Sequence, residues 1–123
     1  MKIVFIKEVI ENLYLKGEIM QTIIITLNSD KMDNPDLDIR YVLPDRIDEY
    51  TEGAVTDNGY DYLDGDIMGL WLETDDAAGN VEKVIRLIES EEILENDLTK
   101  AAQVFISEED CAELEQCRKV FPN

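Results

Sequence analysis

Residues 54–91 read AVTDNGYDYLDGDIMGLWLETDDAAGNVEKVIRLIESE, and this stretch decides the predicted fold. Asp64-Gly65 is a pair that favours a tight type I′ turn, so the stretch predicts a β-hairpin with arms over 54–63 and 67–73. The second arm is apolar on both faces, which is typical of an inner strand that is covered on each side.

A helix is predicted over residues 76–91, immediately after the hairpin. Asp75 or Asp76 can cap its first turn. Its apolar residues recur at the spacing of one buried helix face, namely Val81, Val84, Ile85 and Ile88. We expect this face to pack on the sheet, where Gly69 leaves space for a close neighbour such as a helix side chain.

Further strands are predicted on either side of this unit. Residues 22–27 (TIIITL) are β-branched and apolar on both faces, which predicts a central strand. Residues 101–106 (AAQVFI) predict the last strand. A short strand is also predicted over residues 3–6, whereas residues 8–16 fit either a helix or a strand.

The segment before the hairpin contains the first predicted helix. We place this helix at 44–52, with Pro44 at its start and Gly53 just after its end. Residues 37–43 alternate like a strand. However, residues 34–35 (Asn-Pro) are an equally good helix start, so both interpretations of this segment stay open.

The last predicted element is a helix capped by Ser107, with Cys111 and Leu114 on its inward face. Asp110 follows Ser107 by three residues, which is close to the register of a capping box. From residue 22 onward the first six elements follow the order βαββαβ. We therefore predict an α+β fold, a ferredoxin-like βαββαβ sandwich with an extra C-terminal helix and a short N-terminal extension. The 123 residues suit a single domain over 1–123.

Net charge is the most unusual property of the sequence. There are 29 acidic residues, 11 basic residues and no histidine, which gives a net charge of −18. Residues 30–76 alone hold 15 acidic residues and three basic ones. A field of this sign repels nucleic acid and anionic membranes, and it attracts basic proteins and accelerates their association. Solubility alone would also account for an acidic surface.

The residue types needed for most catalysis are missing. Without histidine there is no Ser-His-Asp or Cys-His arrangement, and the chain has no glycine-rich phosphate loop. The acidic residues around 61–66 flank a tight turn, where aspartate is favoured for backbone reasons. Placing the sixth-position glycine of a calcium-binding EF-hand loop on Gly59 or Gly65 leaves the ligand positions unfilled. We therefore expect no enzymatic activity, no cofactor and no metal site.

Cysteine use and apolar runs bear on the compartment. Cys111 and Cys117 are six residues apart, a spacing that matches no zinc pattern, and on one helix they would be out of disulfide reach. The apolar run at 3–6 is too short for a signal peptide, and none approaches the ~20 residues of a membrane span. We expect a soluble protein in the reducing cytoplasm.

Tyrosine is concentrated in the acidic part of the chain. Four of the five tyrosines are Tyr41, Tyr50, Tyr60 and Tyr62. Tyrosine is enriched at interface hot spots because it combines apolar area with a polar tip. We therefore predict a partner-binding face made of tyrosines and neighbouring carboxylates, namely Tyr50, Asp57, Tyr60, Asp61, Tyr62, Asp64 and Asp66. The other interpretation is that these tyrosines only edge the core.

Two stretches carry a resemblance to a known class of protein. Residues 34–44 (NPDLDIRYVLP) and 57–62 (DNGYDY) resemble small bacterial immunity proteins that are encoded beside polymorphic or contact-dependent toxins. The likeness in layout covers roughly residues 22–107. It implies a cytoplasmic protein that binds a cognate toxin domain and blocks its active site or cofactor site. Many such toxins are nucleases with basic clefts, which an acidic protein could occupy.

Three hypotheses for function follow. The first is an acidic immunity protein that neutralises a toxin domain, in particular a basic nuclease, by occluding its active site. The second is a non-catalytic oligomeric or adaptor domain, which could form a homodimer through an open sheet edge. The third is a DNA-mimicking inhibitor of a nucleic-acid-binding protein. In each, the expected partner is a protein, and neither nucleic acid nor membrane is bound.

Overall fold

The computed structural model of the protein describes residues 20–123. Within this range the chain forms a five-stranded sheet and two α-helices, in the order β1 (Gln21–Asn28), α1 (Ile39–Tyr50), β2 (Val55–Tyr62), β3 (Ile67–Thr74), α2 (Ala77–Ser90), β4 (Ala102–Ser107) and β5 (Arg118–Phe121). The strand predicted over 3–6 and the segment 8–16 lie outside the described residues. The fold is α+β, as predicted.

The sheet is antiparallel throughout, with strand order β2-β3-β1-β4-β5. The element order from β1 to β4 is βαββαβ, and this arrangement is compatible with the ferredoxin-like α+β class. The strands predicted at 22–27, 67–73 and 101–106 are confirmed, and β1 lies at the centre of the sheet as expected. Among the described residues, no helix is both long and apolar enough to cross a lipid bilayer.

Both helices contribute to a core on one face of the sheet. That face carries alternate residues of the inner strands, such as Ile23 and Ile25 of β1 and Leu70 of β3, all fully buried. The predicted helix 76–91 is confirmed by α2, whose inward face buries Val84 and whose cap is Asp76, since its side chain accepts a hydrogen bond from the Gly79 N–H. The α2 face therefore packs as its periodicity predicted.

Helix α1 begins earlier than predicted. It starts at Ile39 instead of Pro44, and Pro44 is buried inside it. The reason is burial, because Ile39, Leu43 and Ile47 follow one another at intervals of four residues and all enter the core. Segment 37–43 is thus mainly helical, and its strand interpretation is wrong. At the other end the helix stops at Tyr50, two residues earlier than predicted. Glu52 and Gly53 both take a positive φ, of +55° and +83°, and the Gly53 N–H bonds back to the Asp48 carbonyl at 2.8 Å.

The predicted C-terminal helix is absent from the described residues. In its place, residues 108–113 form an irregular segment, followed by the single turn Leu114–Gln116 and strand β5. The hydroxyl of Thr22 donates to the Glu109 carbonyl at 2.7 Å and accepts from the Ala112 N–H at 3.1 Å. A helix needs both of these backbone groups, so their capture by β1 prevents it from forming. Cys111 is exposed, contrary to expectation, and has a φ of +48°.

The hairpin turn lies where it was predicted but is of another type. A type I′ turn requires positive φ at both of its central residues. Only Gly65 meets this condition, with a φ of +60°, and Asp64 does not. The loop instead holds three residues, 64–66. The Leu63 N–H donates to the Ile67 carbonyl, and the Ile67 N–H donates to the Asp64 carbonyl.

Candidate protein-binding surface

A β-bulge in β2 decides which way its tyrosines face. Asp57 is opposite Leu72 and Tyr60 is opposite Leu70, so two residues of β2 (58–59) face one residue of β3. Gly59 in the bulge has a φ of +103°, a conformation that side chains rarely allow. Without the extra residue, strict alternation from Val55 would put Tyr60 and Tyr62 on the far face of the sheet. With it, they lie on the same face as α1.

Arg40 of α1 meets these tyrosines and forms the centre of an aromatic platform, which consists of Arg40, Tyr41, Tyr60 and Tyr62. The Arg40 guanidinium carbon lies 4.8 Å from the Tyr41 ring centroid and 5.1 Å from that of Tyr60. Arg40 Nη1 donates a hydrogen bond to the Tyr62 hydroxyl at 3.1 Å. The Tyr60 ring packs edge-on against both others, with centroid distances of 6.0 and 5.9 Å. These contacts hold the rings in place before any partner arrives.

The platform is polarised by its own contacts. The contact with Arg40 lowers the pKa of the Tyr41 hydroxyl, and the contact with Tyr41 raises the pKa of the Tyr60 hydroxyl. The Arg40 Nε–H is buried and has no hydrogen-bond partner. The guanidinium is therefore held mainly by the faces of the rings, which leaves their outer edges free to contact another molecule.

Exposed apolar surface is concentrated in this region. The tyrosines of the platform are 41–55% exposed, and Leu37, which precedes α1, is 53% exposed. All large apolar side chains that the described residues leave exposed belong to the approach to α1, to α1 itself or to β2, namely Leu37, Tyr41, Val42, Tyr50, Tyr60 and Tyr62. Exposed apolar side chains concentrated in one region of an otherwise charged surface are typical of a protein-binding site.

Tyr50 lies apart from the platform. It follows Tyr41 by nine residues, about 13 Å along the helix axis. Its ring packs 5.7 Å from the guanidinium of Arg46, which forms a two-pronged ion pair with Glu91 at 2.7–2.8 Å. Tyr50 was predicted to belong to the same binding face as Tyr60 and Tyr62, but it belongs to a contact between the ends of α1 and α2.

The four predicted carboxylates are divided by the fold. Asp57 accepts a hydrogen bond from the Gly59 N–H within the bulge. Asp61 is opposite Gly69, on the side of the sheet away from the tyrosines. Asp64 and Asp66 lie in the hairpin loop near Tyr62, and all four are exposed. Asp64 and Asp66 therefore flank the platform at its hairpin end, Asp57 shares its face at the bulge, and Asp61 lies on the opposite face.

A cleft of about 190 Å³ opens beside Tyr62, between the segment that precedes α1 and the hairpin loop. Its walls are mostly apolar and include Leu27, Met32, Pro35, Leu37 and Met68. The carboxylates that line it are Asp36 and Asp66. The carboxyl groups of Asp30 and Asp66 also lie close together. A hydrogen bond between them raises the pKa of Asp30, and the repulsion of like charges adds to the rise.

One wall of the cleft is fixed by a buried amide. Asn96 is fully buried, and its side chain accepts from the Asn34 N–H at 2.7 Å and donates to the Asn34 carbonyl at 2.8 Å. Asn34 in turn donates to the Leu94 carbonyl. The segment leading into α1 is thus tied to the loop after α2, which positions Pro35 and Leu37 at the cleft.

Within residues 20–123, no group of three or more acidic or cysteine side chains could hold a metal ion. Neither cysteine of this range forms a disulfide, and burial raises the pKa of the half-buried Cys117 thiol. Comparison of the chain with protein-family models, with curated proteins and with solved structures finds no match.

Two parts of this surface were not recognised in the sequence. Arg40 was not proposed as a site residue, although its position next to Tyr41 and in the most acidic part of the chain was a usable signal. The cleft walls, from Met32 to Leu37, could not be recognised, because they meet Met68 only after the hairpin has folded against α1.

Proposed function

We propose that this chain is a protein inhibitor of the immunity type, which binds a basic toxin domain through the aromatic platform and occludes its active site. The observation that carries the proposal is the platform itself, an ordered and exposed group of three tyrosines around Arg40. We also propose that the fold belongs to the ferredoxin-like class, with β5 added at the β4 edge.

Charge supports the choice of a basic partner. Carboxylates surround the approach to the platform at its hairpin end, namely Asp36, Asp38, Asp64 and Asp66. In a chain with a net charge of −18, these groups would steer a basic surface toward the rings. Tyrosines then supply the affinity, because charges at the rim of an interface affect rate and specificity more than stability.

The edges of the sheet favour this face over a dimer through strand pairing. Edge strand β2 is interrupted by its bulge and carries Asp57 and Asp61. Edge strand β5 has four residues, begins with Arg118 and Lys119, and is followed by Pro122. Bulges, charges, proline and short length all oppose the addition of another strand. An adaptor that works through an open edge is therefore the weaker hypothesis.

A growth-rescue experiment tests the proposal. Proteins captured from the native host by the wild-type chain, and lost by the double variant Tyr60→Ala/Tyr62→Ala, are each expressed alone. We expect one basic protein to arrest growth, and wild type but not the double variant to restore it. A captured partner that is harmless would overturn the inhibitor proposal, and a toxic partner that the double variant still neutralises would overturn the role of the platform. A partner that binds nucleic acid without being toxic would support the DNA-mimic hypothesis instead.

The carboxylates at the hairpin end should control the rate of association. A variant in which Asn replaces Asp36, Asp38, Asp64 and Asp66 is expected to associate with the captured partner about tenfold more slowly at low salt. The reason is that the electrostatic attraction that guides the basic partner to this surface is weaker. Stopped-flow association rates at several salt concentrations measure this effect. The matched control neutralises four exposed glutamates outside the cleft with Gln, namely Glu89, Glu92, Glu108 and Glu115. An equal slowing in the control would mean that only net charge matters.

A further inference from the structure

The cleft beside Tyr62 has the chemistry of a socket for one amphipathic cation. We propose that it takes an arginine side chain of the basic partner, with the aliphatic part against the apolar walls and the guanidinium at Asp36 and Asp66. This inference rests on the proposed function, since it names the group by which the same surface would recognise its partner.

The size of the cleft argues for a single side chain. Sites for drug-sized ligands typically measure about 300–1,000 Å³. The cleft, at about 190 Å³, is smaller and is open to solvent beside the exposed ring of Tyr62. A partner docked on the platform would therefore bring its own side chains to the mouth of the cleft.

The composition of the walls selects the kind of side chain. Arginine and lysine bury their methylene groups along apolar surface while the charged end stays near water or a carboxylate. Met32, Leu37 and Met68 offer such a surface, and Asp36 and Asp66 stand beside it. A purely apolar side chain would partly desolvate the carboxylates of Asp36 and Asp66 without neutralising their charge, which is unfavourable.

The two carboxylates at the hairpin side also favour a cation. Asp30 and Asp66 lie close together, and neither carboxyl group takes part in an ion pair with a lysine or arginine of the described residues. Arginine suits the position better than lysine, because its planar guanidinium can bond a carboxylate through two N–H groups and stack on an aromatic ring. Arg40 already stacks in this way on the neighbouring rings.

A peptide titration tests the inference without the partner. The full chain, labelled with ¹⁵N, is titrated with acetyl-Gly-Arg-Gly-amide and, separately, with the same peptide carrying citrulline, which has a similar shape but no charge. We expect the arginine peptide to shift amides of residues 27–39 and 62–68 and to bind at least fivefold more tightly than the citrulline peptide. Equal binding of both peptides would overturn the inference.

Charge-matched variants separate the cleft from the general field. Asp36→Asn/Asp66→Asn is expected to weaken arginine-peptide binding at least fivefold. The control Asp61→Asn/Glu108→Gln removes the same charge from exposed positions outside the cleft and should change binding less than twofold. Shifts spread evenly over the acidic surface, or an equal loss in the control, would contradict a specific socket. If the peptide fails while the tyrosine variants still abolish partner binding, the proposed function stands and only the cleft occupant is wrong.

Discussion

Replacing Tyr60 and Tyr62 together by alanine is expected to lower affinity for the captured partner about a hundredfold. Each ring is exposed, and each is ordered by contacts with Arg40 and its neighbours, so little conformational entropy would be lost on binding. Truncating one hot-spot tyrosine costs about 2 kcal/mol. The costs of two rings in contact are not additive, so we expect about 2.8 kcal/mol for the pair, which is a hundredfold at 1.4 kcal/mol per tenfold. Calorimetric titration of the purified chain with the partner measures the loss.

Tyr50→Ala is the matched control for this prediction. Tyr50 is 38% exposed, close to the 41% of Tyr60, but it lies near the other end of α1 beside Arg46. We expect its removal to change affinity less than threefold. A loss as large as that of the double variant would show that the binding face runs along α1 and is not centred on the platform. Thermal unfolding of each variant checks that the fold has been retained.

Gly69→Ala is expected to lower the free energy of unfolding by about 2–4 kcal/mol, because it forces a ring away from the sheet. A Cβ at Gly69 would lie 2.6 Å from Cζ3 of Trp71 and 3.2 Å from a methyl group of Leu63. The Trp71 ring cannot move freely, since its Nε1–H donates to the Ala112 carbonyl at 2.9 Å. The neighbour for which Gly69 leaves space is therefore Trp71, not a helix side chain as the sequence suggested.

Urea unfolding followed by tryptophan fluorescence measures the change in the free energy of unfolding. The signal comes from the affected ring, because Trp71 is the sole tryptophan. Gly65→Ala serves as the comparison. Gly65 has a φ of +60° and open space around its Cβ position, so its cost is limited to about 1–2 kcal/mol of backbone strain. A smaller cost for Gly69→Ala than for Gly65→Ala would refute the packing argument. Since Gly69 faces away from the tyrosines, the folded variant should bind the partner with unchanged affinity.

The two faces of the sheet thus have separate tasks. The face that carries the helices has the aromatic platform at its β2 edge. There Arg40 of α1 contacts the exposed tyrosines of β2. On the opposite face, Trp71 and Thr22 hold the segment 109–112 in place. Substitutions on this second face should change stability without changing recognition, which makes the two effects separable by experiment.

Local pattern was enough to predict much of the fold. The β-branched run of β1, the Asp-Gly hairpin and the apolar face of α2 each depend on residues close together in the chain. For this reason their positions were predicted correctly. The cluster of tyrosines and the acidic charge were equally visible as composition. By contrast, α1 was placed too late, because its start depends on Ile39 reaching the core and not on the proline at position 44.

Sequence alone therefore determined the inner strands, the second helix, the strong negative charge and the lack of histidine chemistry. Only the tertiary structure decided which face the tyrosines occupy, because one bulged residue pair at 58–59 reverses the alternation of β2. Long-range hydrogen bonds likewise decided the C-terminal segment, since Thr22 takes backbone groups 87 and 90 residues away that a helix would have used. Such contacts join residues far apart in the chain, so no local pattern could have predicted them.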